Sequence, residues 1–474
     1  MNNSALFTDF YELTMAQGYW KRQSNHKAVF DMFFRRQPFS GGFSVFSGLD
    51  PLLDAIESFR FSPEDIAFLD SQKKFEQGFL DYLSNFRFTG EIHAMKEGTI
   101  VFPNEPLLRI HANIIEAEII EGLILNTINF QSLISTKTAR VFLAANRGSL
   151  MEFGLRRAQG YDGAMSASRA AYIGGATGTS NTLAGKEFGI PVMGTMAHSW
   201  IMSFPSEEEA FDAYAEIYPD SSVFLIDTYN TLESGVKAAI ASGKRLAAKG
   251  HGFGVRLDSG DIEYLSNEVR KALDEAGLDK ATITVSNELT EEIIASLVLN
   301  KAPINSWGVG THMVTGGDEA SFTGVYKLAA RAESNGQLIP TMKLSDNPEK
   351  TTNPGIKQVW RLYDEKGTIK ADALSLEDSP VIAGQAAKFY HPTNDLQSFQ
   401  FMPSAVEGLL EPVMSQGKRL KPHTPLVEIR ERVQGGLSHL DRTYQRILNP
   451  HVYKVSLSEE LRTLKLEMLR SYGR

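Results

Sequence analysis

The sequence predicts an α/β protein: an irregular, TIM-like parallel α/β barrel joined to a second, α+β domain. Three observations predict it. From Ile114 to about Arg331, short apolar runs alternate with polar loops and amphipathic helices, the grammar of parallel strands linked by crossovers. The stretches on either side lack that alternation. No Gly-x-Gly-x-x-Gly follows any of the runs, which removes the usual support for the alternative architecture, an open doubly wound sheet. The expected division is 1–115 for an amino-terminal α+β domain and 116–338 for a barrel domain. Residues 339–474 are expected to form a linker and a carboxyl-terminal segment that packs on the amino-terminal domain.

In chain order, residues 8–20 read as a helix with Thr8 or Asp9 at its N-cap. The aromatic-rich run from Val29 to Leu49 turns at Gly41-Gly42 and reads as a hairpin. Helical patterns follow at Pro51–Ser58, Pro63–Asp70 and Phe75–Asn85, then a β-rich patch from Glu91 to Ile114. The barrel strands are placed at Leu150–Phe153, Val192–Met196, Val223–Ile226, Phe253–Leu257, Thr282–Val285, Trp307–Val309 and Val325–Ala329. Among the intervening helices are Glu207–Ile217, Thr231–Ser242, Ile262–Ala276 and Thr290–Leu299. Ile339–Lys357 is polar and proline-punctuated, a linker by composition. Val359–Tyr363 and Leu426–Ile429 read as strands, and Ser458–Tyr472 as a terminal helix.

With 474 residues, 42% hydrophobic and 22% charged, the chain has an ordinary globular composition and is long enough for two or three domains. A net charge of −9 argues against general nucleic-acid binding. The absence of cysteine excludes disulfides, thiolate metal ligands and thiol nucleophiles, and accords with a reducing cytoplasm. No apolar run approaches the roughly 20 residues of a membrane helix, and the first residues have no secretory pattern. A cytoplasmic protein with no membrane or nucleic-acid partner is expected.

Parallel strands of a barrel deliver their carboxyl ends to one face, so the groups released there converge. In order these are Phe153 with Arg156 and Arg157, Thr195 with His198, Asp227, Arg256 with Asp258 and Asp261, Ser286, Gly308-Val309-Gly310-Thr311, and Lys327. Arginine forks and carboxylates together suit a polyanionic substrate carrying a metal. Each group also has a plainer reading. The two arginines could be a solvated pair at a helix start, and His198 a core or cap histidine unless Asp227 orients it. Asp258-Ser-Gly-Asp261 could be a helix cap, and Gly308–Thr311 an ordinary turn. Tyr11 reads first as a core or interface aromatic, and Phe33-Phe34-Arg35-Arg36 as a charged edge strand. Gly174–Gly185 misses the spacing of a phosphate loop and is read as close helix packing.

Eight stretches, taken together, resemble one family. They are TDFYELTMAQGY (8–19), FFRRQPF (33–39), EFGLRRAQG (152–160), SNTLAGKEFGIPVMGTMAHSW (180–200), DTYNT (227–231), GVRLDSGD (254–261), GVGTHMVTG (308–316) and PGIKQVWR (354–361). They are similar to the motifs of nicotinate phosphoribosyltransferases and occur in family order. The resemblance implies synthesis of nicotinate mononucleotide from nicotinate and 5-phosphoribosyl 1-diphosphate in NAD salvage. It implies coupling to ATP hydrolysis, Mg²⁺ or Mn²⁺ as cofactor, and a homodimer with shared sites. By the same resemblance His198 is the transiently phosphorylated histidine, Asp227 steadies it, and Arg256 clamps the pyridine carboxylate. Tyr11 from the partner subunit and Phe153 stack on the ring, while Thr195 and Arg156 add substrate contacts. Asp258 lies beneath ribose and metal, Gly308, Gly310 and Thr311 hold the 5′-phosphate, and Arg35, Lys327 and Lys357 reach the diphosphate. Asn181 stands where nicotinamide-using relatives carry an aspartate, and an asparagine can donate to the acid substrate. The rivals are a nicotinamide or quinolinate phosphoribosyltransferase and a non-catalytic phosphoribosyl-binding barrel.

Overall fold

The computed structural model describes residues 4–347, 350–394 and 396–473, so Pro348 and Glu349 of the expected linker lie outside the described residues. The chain forms two compact units, one made of residues 137–320 and the other of residues 1–136 together with 321–474.

In the 137–320 unit, six parallel strands stand in the order Gly178–Thr179, Ser149–Glu152, Ser306–Val309, Thr282–Val285, Gly254–Leu257, Val223–Leu225. The last strand in sequence, Ser306–Val309, pairs with the first, Ser149–Glu152. Val192 adds a parallel bridge to Thr179. This is the cyclic strand order of an α/β barrel with one seam, between Val192 and Val223–Leu225, where no ladder forms among the described residues. The strands are short because they are buried on both faces, so each is a brief apolar run such as Ile283 and Val285, both fully buried. Side-chain caps start the helices that follow: Ser206 accepts from Glu209 N–H, Asp261 from Tyr264 N–H and Thr290 from Ile293 N–H.

Two strand assignments are corrected here. Val192–Met196 contributes only the bridge at Val192, because Gly194 and the exposure of this stretch leave no apolar run to bury. Val325–Ala329 is not a barrel strand. It lies within Gly324–Ala332, antiparallel to Lys27–Phe34 in the other unit.

That other unit is α+β. A seven-stranded sheet runs Leu338–Pro340, Gly324–Ala332, Lys27–Phe34, Leu108–Asn113, Glu91–Ala94, Glu411–Ser415, Lys418–Arg419, with every pairing antiparallel. The pairing of Glu411–Ser415 with Glu91–Ala94 builds the carboxyl-terminal region into the amino-terminal sheet. Its core includes Phe30, Met32, Phe34, Leu52, Phe79, Ile92 and Ile110. A second sheet contains Lys357–Tyr363 and Ile369–Leu376 at its centre.

The expected hairpin at Gly41-Gly42 is absent. Lys27–Phe34 is a central strand, buried on both faces, and Ser44–Val45 pairs instead with Ile100–Val101. Gly42 serves a close approach: a Cβ there would lie 2.3 Å from the Tyr444 carbonyl oxygen. Leu426–Ile429 also differs from expectation, opening the helix Leu426–His439, where Ile429, Val433 and Leu437 form a buried stripe at helical spacing. Among the described residues, no helix is long and apolar enough to cross a membrane.

Candidate active site

Within the barrel unit the strand ends converge on Arg256. Its guanidinium donates to Thr195 Oγ1 at 2.6 Å, to the Met196 carbonyl at 3.2 Å and to Ser286 Oγ at 3.0 Å. It pairs with Asp258 at 3.3 Å and stands 5.9 Å from the centre of the Phe153 ring. A fork held by hydroxyls on both sides keeps its plane fixed and leaves one Nη2 hydrogen, with the guanidinium charge, for an anion. Phe153 owes its place to a glycine. A Cβ on Gly308 would sit 2.7 Å from the Phe153 ring, so only glycine lets the ring lie against that strand.

The second cluster is built on Asp227, whose side chain is 1% exposed. One oxygen faces His198 Nε2 at 3.2 Å, while the other accepts from the Asp258 N–H at 2.9 Å and the Ser259 hydroxyl at 2.6 Å. His198 opens the five-residue helix His198–Met202 in the seam of the barrel, and its ring is 39% exposed. The carboxylate can therefore orient one ring nitrogen while solvent or a ligand reaches the imidazole. Asp227 is turned inward by a tight bend. Asn230 caps Leu232 and Glu233 N–H at the start of a π-turn, and a Cβ on Gly235 would meet the Ile226 carbonyl oxygen at 1.9 Å.

Arg156 and Arg157 are both exposed on a short 3-10 turn after Phe153. Gly310 and Thr311 begin the five-residue helix Thr311–Thr315 beside them: Gly154, where a Cβ would lie 3.0 Å from the Gly310 carbonyl, holds the two loops together. Asp258 also accepts a short hydrogen bond from Ser286. Both Asp227 oxygens are already engaged, and Asp258, 29% exposed at its side chain, offers a carboxylate as an oxygen donor. That fits a Mg²⁺ ion, which takes one or two carboxylates and completes its shell with water and substrate phosphate.

Asn181 differs from expectation. It is 3% exposed, its carbonyl caps the helix Thr182–Phe188 by accepting from Ala184 N–H, and its amide turns to Ser168 Oγ at 3.3 Å and Met165 Sδ at 3.6 Å. Its amide faces inward. Sequence reasoning placed Ser286 at a strand end without a role and gave none to Ser259 or Glu152. The two serines lie within the strand-end stretches, and Glu152 opens the motif 152–160 as a lone carboxylate in an apolar strand.

Four expected residues belong to the other unit. Tyr11, at 51% exposure, forms an exposed aromatic group with Phe7 and Phe10 at the start of the helix Phe10–Lys21. Arg35 is half-buried, and its Nε lacks a hydrogen-bond partner. Lys357 is a correction: it is 2% exposed and spends its ammonium on Asp31 at 2.7 Å and on the Asn353 and Gly355 carbonyls. Burial lowers its pKa and Asp31 opposes that. Lys327 stands opposite Asp31 in the sheet and donates to the Tyr326 carbonyl. Both lysines line a cavity of about 30 Å³, room for about one water and not for a diphosphate.

Comparison with known proteins gives a consistent result. The family model "Nicotinate phosphoribosyltransferase (NAPRTase) family" matches residues 149–373, with the amino-terminal and carboxyl-terminal domain models of the same enzyme matching 6–129 and 356–465. The nicotinate phosphoribosyltransferase of Bacillus subtilis is 40% identical over 467 residues, 98% of this chain and 95% of that protein. The chain belongs to the nicotinate phosphoribosyltransferase family. The human family member is 34% identical across 97% of this chain and 95% of its own. A crystal structure of human nicotinic acid phosphoribosyltransferase superposes with a TM-score of 0.85 at 31% identity, covering 97% of this chain and 99% of that one. A nicotinate-nucleotide pyrophosphorylase from Pyrococcus furiosus shares the fold at a TM-score of 0.72 and 22% identity. Both motif clusters, around Arg256 and around Asp227, fall inside the 149–373 match to the nicotinate phosphoribosyltransferase family.

Proposed function

We propose that this chain joins nicotinate to 5-phosphoribosyl 1-diphosphate, forming nicotinate mononucleotide and diphosphate in NAD salvage. The observation that carries this reading is the Arg256 fork, braced by Thr195 and Ser286 and set against Phe153. A planar ring bearing a carboxylate meets both requirements at once: its face rests on Phe153 and its anion takes the fork. The carbon–oxygen bond to diphosphate breaks as the pyridine nitrogen bonds to the anomeric carbon, and positive charge develops on the ribose between those events. Asp258, tethered to the same clamp, places a carboxylate where such charge is stabilised. Asp258 would hold Mg²⁺, whose charge would neutralise the leaving diphosphate. Gly308, Gly310 and Thr311 hold the 5′-phosphate beside Arg156.

ATP coupling is part of the reading. His198, oriented by Asp227 and exposed on its other side, is set to accept a phosphoryl group from ATP and release it to water after turnover. The enzyme works as a homodimer in the cytoplasm, where the exposed Tyr11 of one subunit closes the ring site of the other. Purified protein given labelled nicotinate or nicotinamide, each with and without ATP, tests the proposal. Nicotinate turnover accelerated by ATP is expected. Equal turnover of both substrates, or none of either, overturns it. His198→Ala should abolish the ATP acceleration and leave slow ATP-independent transfer, and full coupling in that variant would remove the histidine from the scheme.

A further inference from the structure

Glu152 ends the first barrel strand, is 1% exposed, and no motif singled it out as functional. Its carboxylate accepts from three donors on three elements: the Gly154 N–H, the Ser168 hydroxyl at 3.0 Å and the Thr179 hydroxyl. An ionised carboxylate is acceptor-only, so it satisfies all three together, and a carboxamide of the same shape must turn an NH₂ group on at least one donor. The two hydroxyls also face Asn181, whose backbone N–H donates to Thr179 Oγ1 at 2.9 Å and whose side-chain amide donates to Ser168 Oγ at 3.3 Å. The Ser168 hydrogen has a second acceptor in the Ala164 carbonyl at 3.0 Å, so the Thr179 hydroxyl is the more committed of the two.

We infer that Glu152 is a positioning residue for pyridine recognition, acting through the Thr179 and Ser168 hydroxyls to fix Asn181 and through Gly154 to seat the Phe153 ring. The inference deepens the proposed function and rests on it for its catalytic consequence. The asparagine meets the relay from inside the fold. The strand, the turn after it and the helix cap at Asn181 are thereby joined through one carboxylate. Phe153 N–H donates to the Val309 carbonyl at 2.8 Å, and Ser180 N–H to the Glu152 carbonyl at 2.9 Å, so neither flanking backbone can shift without breaking a ladder bond.

The test combines kinetics with a substrate-free readout. In Glu152→Gln, KM for nicotinate should rise about tenfold or more and the nicotinate-to-nicotinamide selectivity should fall. KM for 5-phosphoribosyl 1-diphosphate should stay near wild type, and the melting temperature should fall by the few degrees that one mismatched buried hydrogen bond costs. Thr179→Val should reproduce part of the effect, and Glu152→Gln combined with Asn181→Ala should be no worse than the more severe single variant. Parallel changes in both KM values, unchanged selectivity, or multiplicative losses in the double variant would overturn the relay. Should Glu152→Gln unfold, Thr179→Val and Ser168→Ala carry the same selectivity comparison. A crystal structure of Glu152→Gln is expected to show the contacts of Asn181 to Thr179 or Ser168 lengthened beyond hydrogen-bond range, and unaltered contacts would refute the inference. Absence of nicotinate turnover by the wild type would instead strike the proposed function, and the crystal structure would still decide the relay.

Discussion

Each unit holds a cluster built on buried carboxylates, and the two clusters are stabilised in opposite ways. At the barrel strand ends, every oxygen of Asp227 is met by a donor: His198 on one side, Asp258 N–H and Ser259 on the other. In the other unit, Glu12, Glu118 and Glu121 bring oxygens within 4.8 Å of one another. Burial, reinforced by the neighbouring carboxylates, pushes Glu12 up to about 8 and raises Glu118. Burial likewise lifts Glu121 to about 7, against the pull of the Lys327 ammonium. Such a cluster persists by holding protons, whereas the Asp227 cluster persists by holding donors. The first arrangement answers to pH and the second to mutation of its donors.

The largest effect should follow from emptying the donor-rich centre. Asp227→Ala leaves the Asp258 N–H and the Ser259 hydroxyl without their acceptor and His198 without its orienting group. Turnover should fall by roughly 10²–10⁴-fold, the range spanned by a general acid–base contribution. The variant should also lose about 1–3 kcal/mol of stability for unpaired buried donors, read by denaturant unfolding. A loss of less than tenfold in kcat would mean that the two halves of the cluster act independently. Arg256→Lys should come next. Lysine keeps the charge and loses the fork, so it can no longer bridge Thr195 and Ser286, pair with Asp258 and still present a donor to the ligand. Nicotinate KM should rise about 10–100-fold, worth roughly 1.4–2.8 kcal/mol, with the diphosphate-sugar KM changed far less. Equal increases in both would refute the clamp.

How much of this was legible depends on what each residue has to do. Strand ends with a polar group after an apolar run were visible because burial forces the run and function forces the polar group. Hence Arg256 and Asp227 could be found from Gly254–Leu257 and Val223–Leu225, whereas His198 follows a stretch that forms no strand and stood out by its imidazole alone. Lys27–Phe34 was misread because a strand covered on both faces loses its alternation, and its partners lie 80 and 300 residues away in rough terms, beyond any local pattern. Val325–Ala329 failed for a related reason. Its apolar character says that it is buried, not in which sheet. Glu152 opens a quoted motif, yet its role was invisible, since a single carboxylate in a strand carries no spacing, and only the fold brings Ser168 and Thr179 to it. The three-glutamate cluster is likewise unwritten locally: Glu12 sits on the first helix, Glu118 and Glu121 about one hundred residues later.

The smallest effect, and the one that separates the two kinds of cluster most cleanly, is in stability against pH. Glu12 titrates near its ordinary value of 4.5 when unfolded and at about 8 when folded. Between those values the folded chain holds a proton that the unfolded chain has released, so stability is fullest below about 4.5 and declines as pH rises toward 8. Above that range the loss is complete and the curve is flat. Glu12→Gln fills the same space with a neutral amide and removes the proton from the balance. Thermal unfolding across pH 5–9 should then show a shallower decline than wild type, with the variant more stable at pH 8 by about 1–2 kcal/mol. The corresponding change at Asp227, whose oxygens are held by donors, should lower stability at every pH. A Glu12→Gln protein with the wild-type slope, or one less stable at pH 8, would show that the glutamate cluster is held by partners after all, and the contrast between the two units would collapse.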